Sequence, residues 1–327
     1  MAVRHYAVVL VKMGVSAVLV FLLVRNIGLE RIGEQITQAA WQGVLLSLLV
    51  FIISNFLGAL QWYLLLQVKK IKISFKQALS YYHVGLFFNN FLIGNVGGDA
   101  LRILDVRRQV GKDKGVLSTV FFDRFTGFFA LSSLALLSAW FVAHRLVAGT
   151  AVYTILVIFL LWFAAILFMF YKKFARLFAW IFRLLLPESL HVKAKAFYDS
   201  INEFRTKKRL LLHVYALSLL IQTLRILTHY LAARAVGAQA GLHYFFLFIP
   251  IVATIASMPI SIGGLGVREQ SAVALFSQIN VPSAQTVTFE FLAYLIGIVA
   301  SLPGGLVFIL RREYRHDKDR QEDHDVV

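Results

Sequence analysis

Six runs of apolar residues, each long enough to cross a lipid bilayer, constrain this chain more than any other feature. They lie at about 7–24, 43–66, 116–142, 151–171, 211–235 and 286–310. A spanning helix needs about 20 mostly apolar residues. Composition points the same way. Apolar residues make up 59% of the chain and charged residues 15%, against about 45–50% and 25% in a soluble domain. The expected fold is therefore all-α: a polytopic membrane helix bundle. Cysteine is absent, which excludes disulfides and thiolate metal sites and says little about compartment. The first run carries Lys12 and no small-residue cleavage site after it, so it reads as an uncleaved first helix.

Two further apolar stretches, roughly 77–104 and 241–279, are interrupted. Residues 97–102 read G-G-D-A-L-R and residues 263–268 read G-G-L-G-V-R. Each is a glycine pair, three residues and an arginine. Glycines cost a helix interior about 1 kcal/mol each. An arginine at membrane depth costs several kcal/mol more. Two such breaks in two halves of one membrane protein predict a site built from interrupted helices. Ahead of the second span, residues 28–41 place Ile32, Ile36, Ala39 and Ala40 on one side and charged residues elsewhere, as in an interfacial helix.

The net charge is +16. In a soluble protein that would suggest nucleic acid. Here the basic residues cluster in loops, as expected for segments held against an anionic inner-leaflet surface, so no nucleic-acid partner is expected. The clusters are Lys69, Lys70, Lys72 and Lys76; then Arg102, Arg107, Arg108, Lys112 and Lys114; then ten in 172–209 and five in 311–320. The positive-inside rule assigns these segments and both termini to the cytoplasm, in a multi-pass protein of the cell (inner) membrane. Both ends of 77–104 then face inward and both ends of 241–279 face outward. The expectation is about six full spans plus two opposed re-entrant hairpins, in the manner of inverted repeats. Residues 1–312 form one transmembrane domain. It includes a basic amphipathic segment at 172–210 that anchors to the inner leaflet. Residues 313–327 read as a disordered tail.

Several residues in this frame are suited to holding a polar group. In the first hairpin Asn90 and Asn95 supply donors and acceptors, while Gly97 and Gly98 let the backbone approach closely. Asp99 and Arg102 are three apart and suited to pairing; the competing reading makes Asp99 a helix N-cap. In the second, Pro259 ends the incoming helix, and Gly263, Gly264 and Gly266 precede Arg268 and Glu269. A helix N-terminus there would attract an anion, and an arginine beside it suits phosphate or carboxylate. Asp123, Arg124, Arg225, His229 and Glu290 lie within spans, where ionisable groups are functional candidates. Asp123–Arg225 is one plausible structural pair, His229 reads as capping or snorkelling, and Glu290 as lying at the outer interface. Pro303, Gly304 and Gly305 read as a packing kink. No nucleotide loop of the G-x-x-x-x-G-K-[ST] type occurs, and no cofactor or metal is expected.

Residues 94–103 (G-N-V-G-G-D-A-L-R-I), 123–127 (D-R-F-T-G) and 263–269 (G-G-L-G-V-R-E) resemble the flippase-like transmembrane region of lysylphosphatidylglycerol synthases. The resemblance covers about residues 7 to 312. It implies a lipid-translocating bundle whose re-entrant polar motifs meet in a central cavity. By that resemblance Asp99, Arg102, Arg124, Arg268 and Glu269 would line a head-group path. Many members have Glu-Arg where this chain has Asp123–Arg124. The aminoacyltransferase domain of the full synthases has no counterpart here, so no aminoacyl transfer is inferred.

The leading expectation is a flippase-like transporter, not an enzyme, moving an anionic, polyprenyl-linked or glycosylated lipid. An intramembrane lipid-modifying transferase would show an acidic metal cluster or a nucleophile beside a base, and the sequence offers neither. A non-transporting scaffold for a lipid-modifying enzyme is the third reading. Membrane lipids are the expected partners, and a homodimer stays open.

Overall fold

The computed structural model describes residues 29–91, 97–111, 115–142, 149–170, 199–258, 261 and 263–324. The expected span at 7–24, Asn95, Pro259 and most of the amphipathic segment 172–210 lie outside the described residues. Within them the architecture is all-helical. A short helix α1 (Leu29–Thr37) leads into α2 (Trp41–Val68), α3 (Phe75–Phe91), α4 (Gly97–Val110), α5 (Val116–Val142) and α6 (Gly149–Phe170). Then come α7 (Lys208–Ala235), α8 (Leu242–Ser257), α9 (Val267–Phe276) and α10 (Ser283–His324). Four segments, Trp41–Val68, Val116–Phe141, Lys208–Ala235 and Ser283–Arg311, are long and apolar enough to cross a membrane. Helix α6 has 22 residues and no Asp, Glu, Lys or Arg.

The contacts define two ends. At one, Ile71 and Ala78 before and within α3 pack with Val106 near the end of α4 and Val116 at the start of α5. Arg311 of α10 binds there too: its guanidinium lies 3.5 Å from Asp105 of α4, donates to Ser80 of α3 and covers the Tyr81 ring at 4.5 Å. At the other end, Phe245 of α8, Phe276 of α9 and Phe289 of α10 form a cluster with ring centroids 4.9–5.7 Å apart. The Ala40 N–H donates to the Ala235 carbonyl at 2.8 Å, which ties the start of α2 to the end of α7 at that end.

The chain therefore leaves and returns at one end through α3–α4, and at the opposite end through α8–α9. Helices α3–α4 and α8–α9 thus form two helical pairs that approach from opposite ends. Their tips adjoin: a Cβ on Gly263 would lie 3.2 Å from the carbonyl oxygen of Asn90. Glycine sets the closest seams. A Cβ on Gly98 would overlap the Gly85 carbonyl oxygen, and one on Gly304 would overlap the His83 carbonyl. Backbones in direct contact exclude any larger residue. Pro303 sits inside α10 without interrupting it, so the Pro303–Gly305 segment serves helix packing, as its lack of charge suggests.

Helix α10 continues to His324, where the sequence suggested a disordered tail.

Lys69 has a role that cluster counting hides. Its side chain is 3% exposed and its Nζ lies 2.8 Å from Glu203 and 2.8 Å from Ser200 Oγ, over the Phe204 ring at 5.1 Å. It staples residues 199–204 to the end of α2. Glu203 is 63% exposed, so the ion pair itself adds little, and the hydrogen bonds to Ser200 and the contact with the Phe204 ring carry the effect. Lys69→Ala should raise amide hydrogen exchange across 199–206 at least tenfold, with unchanged protection in α7.

Candidate functional site

A cavity of about 230 Å³ lies midway between the two ends, between α2, α3, α4, α5, α7 and α8. Apolar residues such as Phe51, Phe128, Leu131 and Ile249 form part of its wall. The rest is polar and charged, and its charged groups fall into three arrangements.

The first is a closed network. Arg102 donates to Asp99 at 2.7 Å and to Asp123 at 3.2 Å, and its side chain is 3% exposed. Its guanidinium lies against the rings of both Trp62 and Tyr82, 4.9 Å from each centroid. Asp99 also accepts from Arg124 Nε at 2.8 Å. Asp123 also accepts from Gln61 at 2.9 Å, and Gln61 in turn accepts from Ser218 at 2.7 Å. Both carboxylates of this set face cationic or amide donors, so desolvation is largely offset by pairing and ring contact, although Arg102 Nε is buried without a partner. Helix α4 supplies Asp99 and Arg102 on one face because they are three apart. Asp99 lies in the first turn of α4 and spends its carboxylate on the two arginines. The capping role falls instead to Asn89, whose Oδ1 accepts from the Gly98 N–H at 2.9 Å.

The second arrangement is Arg124. Its side chain is 39% exposed while bound to Asp99, so it presents donors to the cavity from a fixed anchor.

The third is Arg225, with His229 one turn further along α7. Both line the cavity. Arg225 makes no hydrogen bond or ion pair among the described residues, and its Nε is buried without a partner. The expected Asp123–Arg225 pair is therefore not formed: Asp123 is taken by Arg102 and Gln61, which reach it from α4 and α2. His229 Nδ1 lies 2.9 Å from Glu290 Oε1. It neither caps nor snorkels. Glu290 is fully buried, about two turns inside α10, and not at an outer interface.

The second glycine motif sits apart from this cavity. Gly263, Gly264 and Gly266 have φ of 59°, 77° and 79°, a left-handed turn that only glycine adopts cheaply. Arg268 donates to the Gly263 carbonyl at 3.1 Å and covers the Tyr294 ring at 5.2 Å. Glu269 accepts from the Gly266 N–H at 2.7 Å. The N-terminus of α9, expected to hold an external anion, is thus met by a carboxylate of its own first turn. Neither Arg268 nor Glu269 lines the cavity, whereas Ala253 and Ser257 of the preceding α8 do.

Of the residues singled out from sequence, Asp99, Arg102, Asp123, Arg124 and Arg225 converge, with Gly97 and Gly98 at the start of α4. Asn90 donates to Ser301 at 2.8 Å and ties α3 to α10. Asn89, Gln61, Trp62, Tyr82, Ser218 and Gln222 were not singled out. Gln222 carries a signal in hindsight, a lone amide inside an apolar run.

The family model of the lysylphosphatidylglycerol synthase transmembrane region matches residues 9–304. The chain belongs to that family. It is also 25% identical over 326 residues to a UPF0104 membrane protein of Pyrococcus horikoshii, covering 91% of this chain and 96% of the relative. Membership places this lysylphosphatidylglycerol synthase-type transmembrane protein in the membrane. The motif residues that carried the resemblance divide between two places in it, the Asp99–Arg102–Asp123–Arg124 network and the Gly263–Glu269 turn.

Proposed function

We propose that the protein translocates an anionic lipid, including a polyprenyl-linked or glycosylated one, with the head group passing through the mid-bundle cavity. The observation that carries this reading is Arg225, a guanidinium that faces the cavity with no hydrogen-bond or ion-pair partner among the described residues. A part-buried charge without a partner is costly unless a counter-charge visits it. Arg124 adds donors from the opposite wall, in a fork geometry suited to phosphate. The acyl or prenyl chains would stay in the bilayer, against the apolar outer faces of helices such as α2, where Leu45, Leu49, Ile52 and Phe56 are exposed. The end bearing Lys69 and Arg311 would face the cytoplasm of a cell inner membrane, with the α3–α4 hairpin re-entering from that side and α8–α9 from the other.

Reconstitution into liposomes with labelled lipids in one leaflet tests the reading. Phosphatidylglycerol or a prenyl phosphate is expected to equilibrate between leaflets at least tenfold faster than in protein-free vesicles, and phosphatidylcholine to lag behind. Transfer at the protein-free rate for every lipid would overturn it.

A further inference from the structure

The titratable groups of the cavity are not all spent on the closed network. His229 faces the cavity, and its Nδ1 is bonded to Glu290, whose second oxygen is buried with no partner among the described residues. Arg225 precedes His229 by one helical turn on the same wall. We propose that His229 and Glu290 form a proton-binding site that loads as an anion enters beside Arg225, so that the anionic ligand and one proton are bound together.

The argument is one of charge. With Glu290 ionised and His229 neutral the pair carries −1; with one proton it carries 0, whichever of the two holds it. Without a visitor, Arg225 compensates the −1 state across one turn of α7. An anion that engages Arg225 removes that compensation and repels the ionised pair. The pair then takes up a proton from water, and the imidazole, now able to donate from Nε2, turns toward the anion. Release of the anion reverses the step. No bond other than the N–H or O–H bond is made or broken.

The surroundings support this. On α10, Tyr294 lies one turn beyond Glu290. On α9, Glu269 lies within electrostatic reach of Glu290, with Arg268 beside it. Across the cavity stand Arg102 of α4 and Asp123 and Arg124 of α5, already paired with one another or with Asp99. The segments of α2 and α8 along the cavity, 51–61 and 249–257, contain no ionisable residue. Arg225, one turn from His229, is the cation on this wall that an entering anion would engage. Linkage fixes the sign: binding that takes up protons strengthens as pH falls, by at most about tenfold per pH unit for one proton.

This inference rests on the translocation reading, and the test separates the two. Detergent-solubilised full-length protein is titrated calorimetrically with dihexanoyl phosphatidylglycerol, whose phosphodiester charge is constant from pH 5 to 8. Buffers of different ionisation enthalpy report protons exchanged, and dihexanoyl phosphatidylcholine is the control. The expected result is uptake of up to one proton per phosphatidylglycerol bound and tighter binding at lower pH. Glu290→Gln, which still accepts from the imidazole, should abolish uptake and flatten the pH profile. Binding without proton exchange in the wild type, or uptake that persists in both Glu290→Gln and His229→Gln, overturns the coupling and leaves translocation standing. Absence of phosphatidylglycerol binding at every pH overturns both.

Discussion

Arg225→Ala should lower transfer of an anionic lipid by about 10- to 100-fold in liposomes while leaving the fold intact. A hydrogen bond to a charged group contributes about 1.5–3 kcal/mol, and each 1.4 kcal/mol is a factor of ten. The side chain has no protein partner among the described residues to leave behind. Arg225 is only part-buried, so the melting temperature should change little. Arg225→Lys should recover part of the rate, since the point charge returns without the fork. The measurement is initial transfer rate at matched protein density, beside a thermal melt of each variant. A rate equal to wild type in Arg225→Ala would remove the residue from the head-group path.

Arg102→Ala should behave in the opposite manner. Arg102 is enclosed by two carboxylates and two aromatic rings. Taking it away leaves Asp99 with Arg124 alone and Asp123 with Gln61 alone, and opens a void beside Trp62 and Tyr82. Removing one partner from a buried ion pair costs about 3–5 kcal/mol, a large part of what holds a domain together. The expected outcome is a steep fall in melting temperature and in folded yield, with transfer lost only in proportion to folded protein. Arg102→Lys should not restore stability, because an ammonium cannot reproduce the guanidinium's fork to both carboxylates or its contact with the two rings. A stable Arg102→Ala protein with selectively lost transfer would show that Arg102 handles substrate. The two variants together separate a cation that binds from a cation that builds.

That separation was not legible in the sequence. Arg102, Arg124 and Arg225 all look alike as charges in apolar runs. Which of them is neutralised depends on the rotation and register of α2, α4, α5 and α7 against one another, and hydropathy does not encode register. The proposed Asp123–Arg225 pair failed for that reason: the correct partner comes from α4, a short limb of the interrupted hairpin. Glu290 was placed at an interface because it falls near the start of its apolar run, yet α10 begins at Ser283 and carries it to a fully buried level. The polar residues around Arg102, such as Gln61 and Ser218, are neutral and shift hydropathy too little to stand out.

What was legible followed from costs that sequence does encode. Apolar length gave the long helices, since backbone polar groups cannot go unsatisfied in hydrocarbon. The double glycines marked both breaks, because Gly263, Gly264 and Gly266 must take positive φ and Gly98 must touch Gly85. The two helical pairs lie at opposite ends, one marked by the aromatic cluster of Phe245, Phe276 and Phe289 and the other by Arg311 with Asp105.

The glycine seams have a mechanical consequence. Where Gly98 meets the Gly85 carbonyl and Gly304 meets the His83 carbonyl, backbone rests on backbone and no side chain is present to change rotamer. Helices α3, α4 and the late part of α10 are thereby locked into one block that slides poorly within itself. The wall carrying Arg225 belongs to α7, outside that block. An alternating motion in this bundle would have its give between the block and α7–α8, across the cavity, so cargo would be released by walls parting and not by a hairpin unthreading.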